Sequence, residues 1–345
     1  MKILYFGSVS SPYQNSFWNE CNKFFDVKNI YLSAKEPGHE WQIPDEEFIF
    51  SLGYDQSKFK SFLRLFSYLR RSSPDIIMIG GYKMPFILFT IFWFLFKKTK
   101  VFLWLERPFL RGAIKTMMRN IYFKFLSFFV DGVFAIGEDA RKIYKPFFNT
   151  VFNLPYSFQL DRFQEKKLQG GELKFVFLGQ YIHRKGVLEL VNSFKSLPKK
   201  NVSLTLAGGG LLTEEINSLV ASEKNIKNVG YLDYSDVPLF LGEHDVFILP
   251  SKHDGWGVVI CEAMAAGLFV VGTQHTSACN EYIVEKQNGL FVEVDSKSIE
   301  EKLNWCIENK QKALLGGLQN QNIISGSMSN AEVSAKKLVK FLESI

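Results

Sequence analysis

Two carboxylates eight residues apart, Asp254 and Glu262, stand in the stretch whose residue types could do chemistry, VFILPSKHDGWGVVICEAMAAGLFVVGT at 246–273. At that spacing two side chains come round to within roughly 80° of each other, about 12 Å apart along the axis if the whole segment is helical. Both can then face one cavity. Gly255 and Gly257, with Trp256 between them, leave backbone that a ligand can approach closely. Free amides near Gly257 and Val258, where the next helix begins, suit a phosphate. A carboxylate such as Glu262 suits paired ribose hydroxyls, which donate to it. The plainer alternative is a surface helix after a flexible loop, and the glycines, apolar flanks and Pro250-Ser251 entry weigh against it.

The elements needed to hold these groups are legible on either side. Val246–Leu249 is a short apolar run that suits a buried strand, and a polar loop through Lys252, His253 and Asp254 follows it. Helix is expected from about Gly257 to Ala266, ended by Gly267, with a second buried strand at Leu268–Gly272. Strand, loop, helix and strand in this order form a parallel crossover, where ligands sit at strand ends and helix starts. A second junction of this kind runs from the strand Leu173–Gly179 through GQYIHRKG (179–186) into a helix at Val187–Phe194. Arg184 and Lys185 there favour an anion, the alternative being a solvated pair on a loop. Further strands are expected at Ser203–Ala207, Val229–Leu232 and Leu290–Val294. Helices are expected from Thr213 and at Asp236–Leu241, Ile299–Glu308 and Val333–Leu342.

The first half also alternates strand and helix. Strands are expected at Lys2–Gly7, Val27–Leu32, Asp75–Gly80, Val101–Leu105 and Gly132–Gly137. Helices are expected at Phe17–Phe25, Lys60–Arg71, Leu110–Phe129 and from Glu138 to Tyr144, with a long loop over 33–58. After the first strand Gly7 leads into SVSSPYQN, not G-x-G-x-x-G, which argues against a dinucleotide site. Ser8, Ser11 and Tyr13 are candidates to line a cleft. Pro85–Phe96, PFILFTIFWFLF, is too short to cross a bilayer, which takes about twenty residues. It reads as a buried crossover helix or as a helix partly sunk in a membrane surface.

Charge separates the halves. Residues 1–160 hold 21 Lys and Arg against 13 Asp and Glu, and the remainder 20 against 22. Eight basic residues and one acid, Glu106, lie within 97–124, which points to an anionic partner, and the basic stripe set beside so many aromatics favours peripheral contact with a membrane surface; no nucleic-acid partner is expected. Four cysteines without paired spacing exclude a zinc or disulfide framework by pattern, and a reducing cytoplasm is expected. The N-terminus reads as a strand, not as a signal peptide. Absence of a D-x-D pair or a histidine cluster leads to the expectation of no metal and no cofactor. Domains are expected at 1–158 and 172–328, with a linker between and a terminal segment at 329–345.

Pro250-Ser251, Asp254-Gly255, Gly257, then Glu262-Ala263-Met264-Ala265 and Gly267 resemble the E-x7-E region of retaining glycosyltransferases of family 4. The resemblance implies an α/β protein of the GT-B fold, two Rossmann-like domains with a deep cleft between them. It implies sugar transfer from a nucleotide-diphosphate donor to a lipid-linked or oligosaccharide acceptor in cell-surface polysaccharide synthesis. In that setting Asp254 would hold sugar hydroxyls and Glu262 the ribose. Lys185, Arg184 and the backbone at Gly255–Val258 would hold phosphates, and Leu232 would lie near the base. The terminal helix would pack back on the first domain. Three departures stand out. Asp254 replaces the usual glutamate, Gln180 replaces an arginine, and Glu106-Arg107 stands where the family often has a histidine, making Glu106 a candidate near the acceptor. An epimerase of the same fold and a silent nucleotide-sugar-binding subunit are the alternatives.

Overall fold

The computed structural model describes residues 1–33, 49–51, 58–81, 85–94, 97–109, 112–168, 170–197 and 201–345. Most of the expected loop at 33–58, together with Leu95, Phe96, Leu110 and Arg111, lies outside them. The chain forms two compact units, Met1–Gln159 with Ala331–Ile345, and Leu160–Asn330.

In the first unit β1 (Lys2–Val9), α1 (Pro12–Cys21), β2 (Asp26–Ser33), β3 (Ile49–Ser51), α2 (Lys58–Arg71) and β4 (Ile76–Gly80) follow in order. Then come α3 (Pro85–Phe94), β5 (Lys100–Leu105), α4 (Ala113–Leu126), β6 (Gly132–Ala135), α5 (Glu138–Tyr144) and β7 (Val151–Asn153). The seven strands are all parallel in the order β3-β2-β1-β4-β5-β6-β7, so the winding reverses between β1 and β4. Alternate residues of β1 separate two cores. Leu4 and Phe6 pack with Leu65, Leu69, Ile91, Phe94, Phe123 and Tyr144, which puts α2 to α5 on one face. Tyr5 packs with Trp18 and Trp104 on the other, the face of α1.

The expected helix at Phe17–Phe25 starts five residues earlier. Ser11 caps it, its hydroxyl accepting from the Gln14 amide at 3.4 Å, and Pro12 supplies the fixed φ of a first helical turn. Ser11 serves as the cap of this helix, and Tyr13 packs on Tyr156 with ring centroids 5.0 Å apart.

The second unit contains β8 (Leu173–Leu178), a 3-10 turn (His183–Lys185), α6 (Val187–Lys195), β9 (Val202–Ala207), α7 (Thr213–Val220), β10 (Ile226–Asn228) and α8 (Val237–Gly242). It continues with β11 (Val246–Leu249), α9 (Val258–Ala265), β12 (Phe269–Gly272), α10 (Ser277–Tyr282), β13 (Gly289–Phe291), α11 (Ser296–Glu308) and α12 (Lys310–Ser325). Its parallel sheet runs β10-β9-β8-β11-β12-β13, reversing between β8 and β11. Residues 160–168, read from sequence as linker, are fastened to this unit. The Lys166 ammonium donates to the carbonyls of Gly242 and His244 and lies 3.6 Å from the Asp245 carboxylate. The last helix, α13 (Ala331–Glu343), belongs to the first unit, where it packs beside α1 and stacks Phe341 on Phe152 at 4.4 Å.

Candidate functional site

The reversal between β8 and β11 brings the two glycine-bearing junctions together at the carboxyl edge of the second sheet, where such sheets take ligands. The junctions are laced by backbone. Lys252 donates its amide to the Arg184 carbonyl at 2.8 Å, the Ser251 hydroxyl donates to the same carbonyl at 3.2 Å, and Arg184 donates to the His253 carbonyl at 2.5 Å. From the β12 edge, the Thr273 hydroxyl donates to the Ser251 carbonyl at 2.7 Å and the His275 carbonyl accepts from the Asp254 amide at 3.0 Å. Each functional side chain thus hangs from a frame tied at three strand ends.

That frame holds the sequence candidates as follows. Asp254 lies between the two cations, its carboxylate 2.5 Å from the Lys185 ammonium and 3.8 Å from the Arg184 guanidinium. Lys185 and Asp254 are both largely shielded, with side chains 12% and 16% exposed, so their attraction is screened less than that of a surface pair. The helical spacing assumed for Asp254 and Glu262 does not apply, because the helix begins only at Val258. Among the described residues no side chain caps that start. Its first amides can therefore serve an anion.

Gly257 makes the turn possible. Its φ is +89°, and a Cβ there would come 2.5 Å from the Thr276 methyl. Gly257→Ala is expected to cost about 1–3 kcal/mol through backbone strain and this clash. A melting curve measured by circular dichroism should fall accordingly, and an unchanged curve would show that the loop can relax.

Glu262 sits on the second turn of α9, 6% exposed, and among the described residues its carboxylate has no hydrogen-bond partner. Burial pushes its pKa up to about 7, against the opposing pull of the Arg162 guanidinium. Arg162 is a residue that sequence reading places in a linker. Its guanidinium lies over the Tyr234 ring at 4.0 Å and donates to the Tyr234 carbonyl at 2.5 Å. An unsatisfied carboxyl in such a place costs stability unless something donates to it.

Two sequence assignments change. Trp256 is 1% exposed, edge-on to Tyr282 at 5.9 Å, so its ring is core and only its backbone is available to a ligand. The strand expected at Val229–Leu232 lies three residues earlier as β10, where Ile226 supplies the buried side chain and Tyr181 anchors Asn228 by a hydrogen bond of 2.7 Å. Leu232 is half-buried in the loop beyond Gly230. Gly208 and Gly210 have a packing reason. A Cβ on Gly208 would meet the Gly179 carbonyl at 1.9 Å and one on Gly210 the Tyr181 carbonyl at 2.8 Å, so these two glycines let the strand end lie against the 179–181 turn.

In the first unit Glu106 is exposed at the end of β5. Its carboxylate accepts from the Tyr156 hydroxyl, and its carbonyl accepts from Tyr144 at 2.7 Å. Arg107 beside it pairs with Asp139 at 3.1 Å. Among the described residues no group of three or more His, Cys, Asp or Glu is placed to hold a metal ion.

The two parallel sheets, each with a reversal in strand order and helices packed on it, define an α/β protein of the GT-B class. Residues 159–315 match the family described as Glycosyl transferases group 1, which agrees with a glycosyltransferase resemblance at that coarser level. The chain is similar to the capsular polysaccharide biosynthesis glycosyltransferase CapM of Staphylococcus aureus, 32% identical over 163 residues, which cover 44% of this chain and 42% of CapM. It is also similar to a Campylobacter jejuni N-acetylgalactosaminyltransferase named for a diphospho-undecaprenol substrate, 26% identical over 167 residues, covering 44% of this chain and 46% of that one. The alignments thus span less than half of these relatives' lengths. Among solved structures, Anabaena HepE in complex with UDP and glucose superposes over 100% of both chains with a TM-score of 0.76 at 16% identity. That likeness carries the GT-B fold through the first unit as well.

Proposed function

We propose that this chain is a retaining, metal-independent glycosyltransferase of family 4 type that moves a sugar from a nucleotide-diphosphate donor to a lipid-linked or glycan acceptor in cell-surface polysaccharide synthesis. It works at the cytoplasmic face of a membrane, touching it through the first unit. One observation carries the reading. A buried carboxylate lacking a donor among the described residues, Glu262, stands on a helix whose start follows the loop in which Asp254 meets Lys185 and Arg184.

Ribose hydroxyls donate to Glu262, and the diphosphate takes the amides at Gly257 and Val258. Lys185 and Arg184 neutralise the charge that grows on the diphosphate as it leaves, an electrostatic stabilisation already in place before reaction. Asp254, drawn in by the same two cations, meets the sugar hydroxyls next to the diphosphate. It is one methylene shorter than glutamate, so its reach selects the sugar. Glu106, oriented by Tyr156, accepts from an acceptor hydroxyl.

Thermal-shift measurements with UDP-, GDP- and ADP-sugars test the donor part. Sugars of one base are expected to raise the melting temperature, since a ligand that binds only the native state stabilises it by RT ln(1 + [L]/Kd). The shift should vanish in Glu262→Ala. No shift with any nucleotide, or an undiminished shift in the variant, would overturn the reading.

A further inference from the structure

Helices α2 and α4 each carry two apolar faces, and only one of them is used by the core. In α4, Phe123 and Leu126 pack inward. Yet Ile114, Met117, Met118, Ile121 and Phe125 repeat the i, i+3, i+4, i+7 spacing of a buried face and are all more than half exposed, Ile114 at 71% and Met118 at 63%. In α2, Leu65 and Leu69 are fully buried, while Phe59, Phe62, Leu63 and Phe66 form the same spacing on the outside. Between them α3 turns Ile91 and Phe94 inward and exposes Leu88 and Phe92, the latter at 66%. Ring contacts of Phe62 with Phe89 (4.9 Å) and of Phe66 with Trp93 (5.2 Å) join α2 to α3. All three helices cover the same face of the first sheet. An apolar surface of this extent on a soluble fold marks a binding face.

Charge identifies what it binds. No Asp or Glu occurs between Asp75 and Glu106 or between Glu106 and Asp131, and α2 contains none. Arg64, Lys115 and Lys124 stand among the exposed apolar residues, and the Lys97 ammonium lies over the Trp93 ring at 4.9 Å. No helix among the described residues is long and apolar enough to cross a membrane. Lysine and arginine set among outward aromatic and aliphatic side chains match an interface with apolar chains below and anionic head groups above, whereas a protein partner would call for acids as well.

We infer that the outer faces of α2, α3 and α4 form one platform that lies flat in the head-group layer of an anionic lipid membrane. This deepens the membrane contact proposed above and rests on it.

The test is flotation of the full chain with vesicles of phosphatidylcholine alone and of phosphatidylcholine with about 30 mol% phosphatidylglycerol, at low and high salt, with no sugar nucleotide present. Binding is expected to the anionic vesicles, to weaken at least tenfold in phosphatidylcholine alone, and to weaken with salt. Met118→Glu/Ile121→Glu in α4 and Phe59→Glu/Leu63→Glu in α2 should each lower binding more than tenfold with melting temperatures near wild type, because these side chains are exposed. Unbound protein with anionic vesicles would overturn the inference, as would equal binding to neutral ones or a self-association abolished by the same substitutions. The donor thermal shift does not depend on any of these outcomes, so either part can fail alone.

Discussion

Glu262→Gln is expected to make the protein more stable above neutral pH while removing nucleotide binding. The carboxyl is buried without a donor among the described residues, and its pKa stands at about 7 in the folded chain against 4.5 for a free glutamate. An acid raised on folding prefers its neutral form there. The stability it allows is therefore full below pH 4.5 and is lost as pH rises to 7. A difference of this size corresponds to about 3 kcal/mol. Urea melts of the two proteins should coincide near pH 4.5 and separate by up to that amount at about pH 8, with the glutamine variant higher. Ligand binding should show the opposite dependence. Ribose hydroxyls donate to the ionised form, so wild-type affinity for a nucleotide diphosphate should rise through pH 7, and the variant should lack that rise. A wild type that is as stable as the variant in the alkaline melt would mean that Glu262 already has its donor within the protein.

Lys185→Ala is expected to lower kcat for transfer by about 100- to 1000-fold, the effect of removing one preorganised group that stabilises developing charge. It also leaves Asp254 with Arg184 alone at 3.8 Å, so a loss of stability should accompany it. The double variant Lys185→Ala/Asp254→Asn separates the two effects. Removing the orphaned charge should return most of the stability and none of the transfer. Recovery of both together would mean that Lys185 serves only to hold Asp254.

Much of the second unit can be read from residues because punctuation and packing agree there. Pro250-Ser251, Gly257 and Gly267 bound β11, the loop and α9 where the structure has them, and Gly186 closes the 3-10 turn before α6. Legibility stops where local signals run against tertiary packing. Helix α12 is not among the expected elements, because Gly316-Gly317 lie in its middle and a paired glycine argues against helix. They are there for contact. A Cβ on Gly316 would come 2.2 Å from the Gln287 carbonyl, and one on Gly317 would come 2.4 Å from the Gly267 carbonyl. The start of α1 is hidden because a Ser-Pro pair signals a loop as readily as a cap. At the site, the acids and cations are visible in the chain, but Arg162 is not. It lies 100 residues before Glu262, in a segment without periodic pattern, and only the fold brings it near. The pairing of Asp254 with Lys185 is equally hidden, since each belongs to a different strand-to-helix junction. In the first unit the helix of α2 is legible, but spacing alone does not tell which of its two apolar faces is buried.

The most direct measurement is a crystal structure of the chain with the nucleotide diphosphate that gives the largest thermal shift. Both ribose hydroxyls should lie within hydrogen-bonding distance of the Glu262 carboxylate, with a phosphate oxygen on the Val258 amide and the Lys185 ammonium. A nucleotide bound elsewhere, or an α9 start filled by the protein's own side chains, would contradict the account.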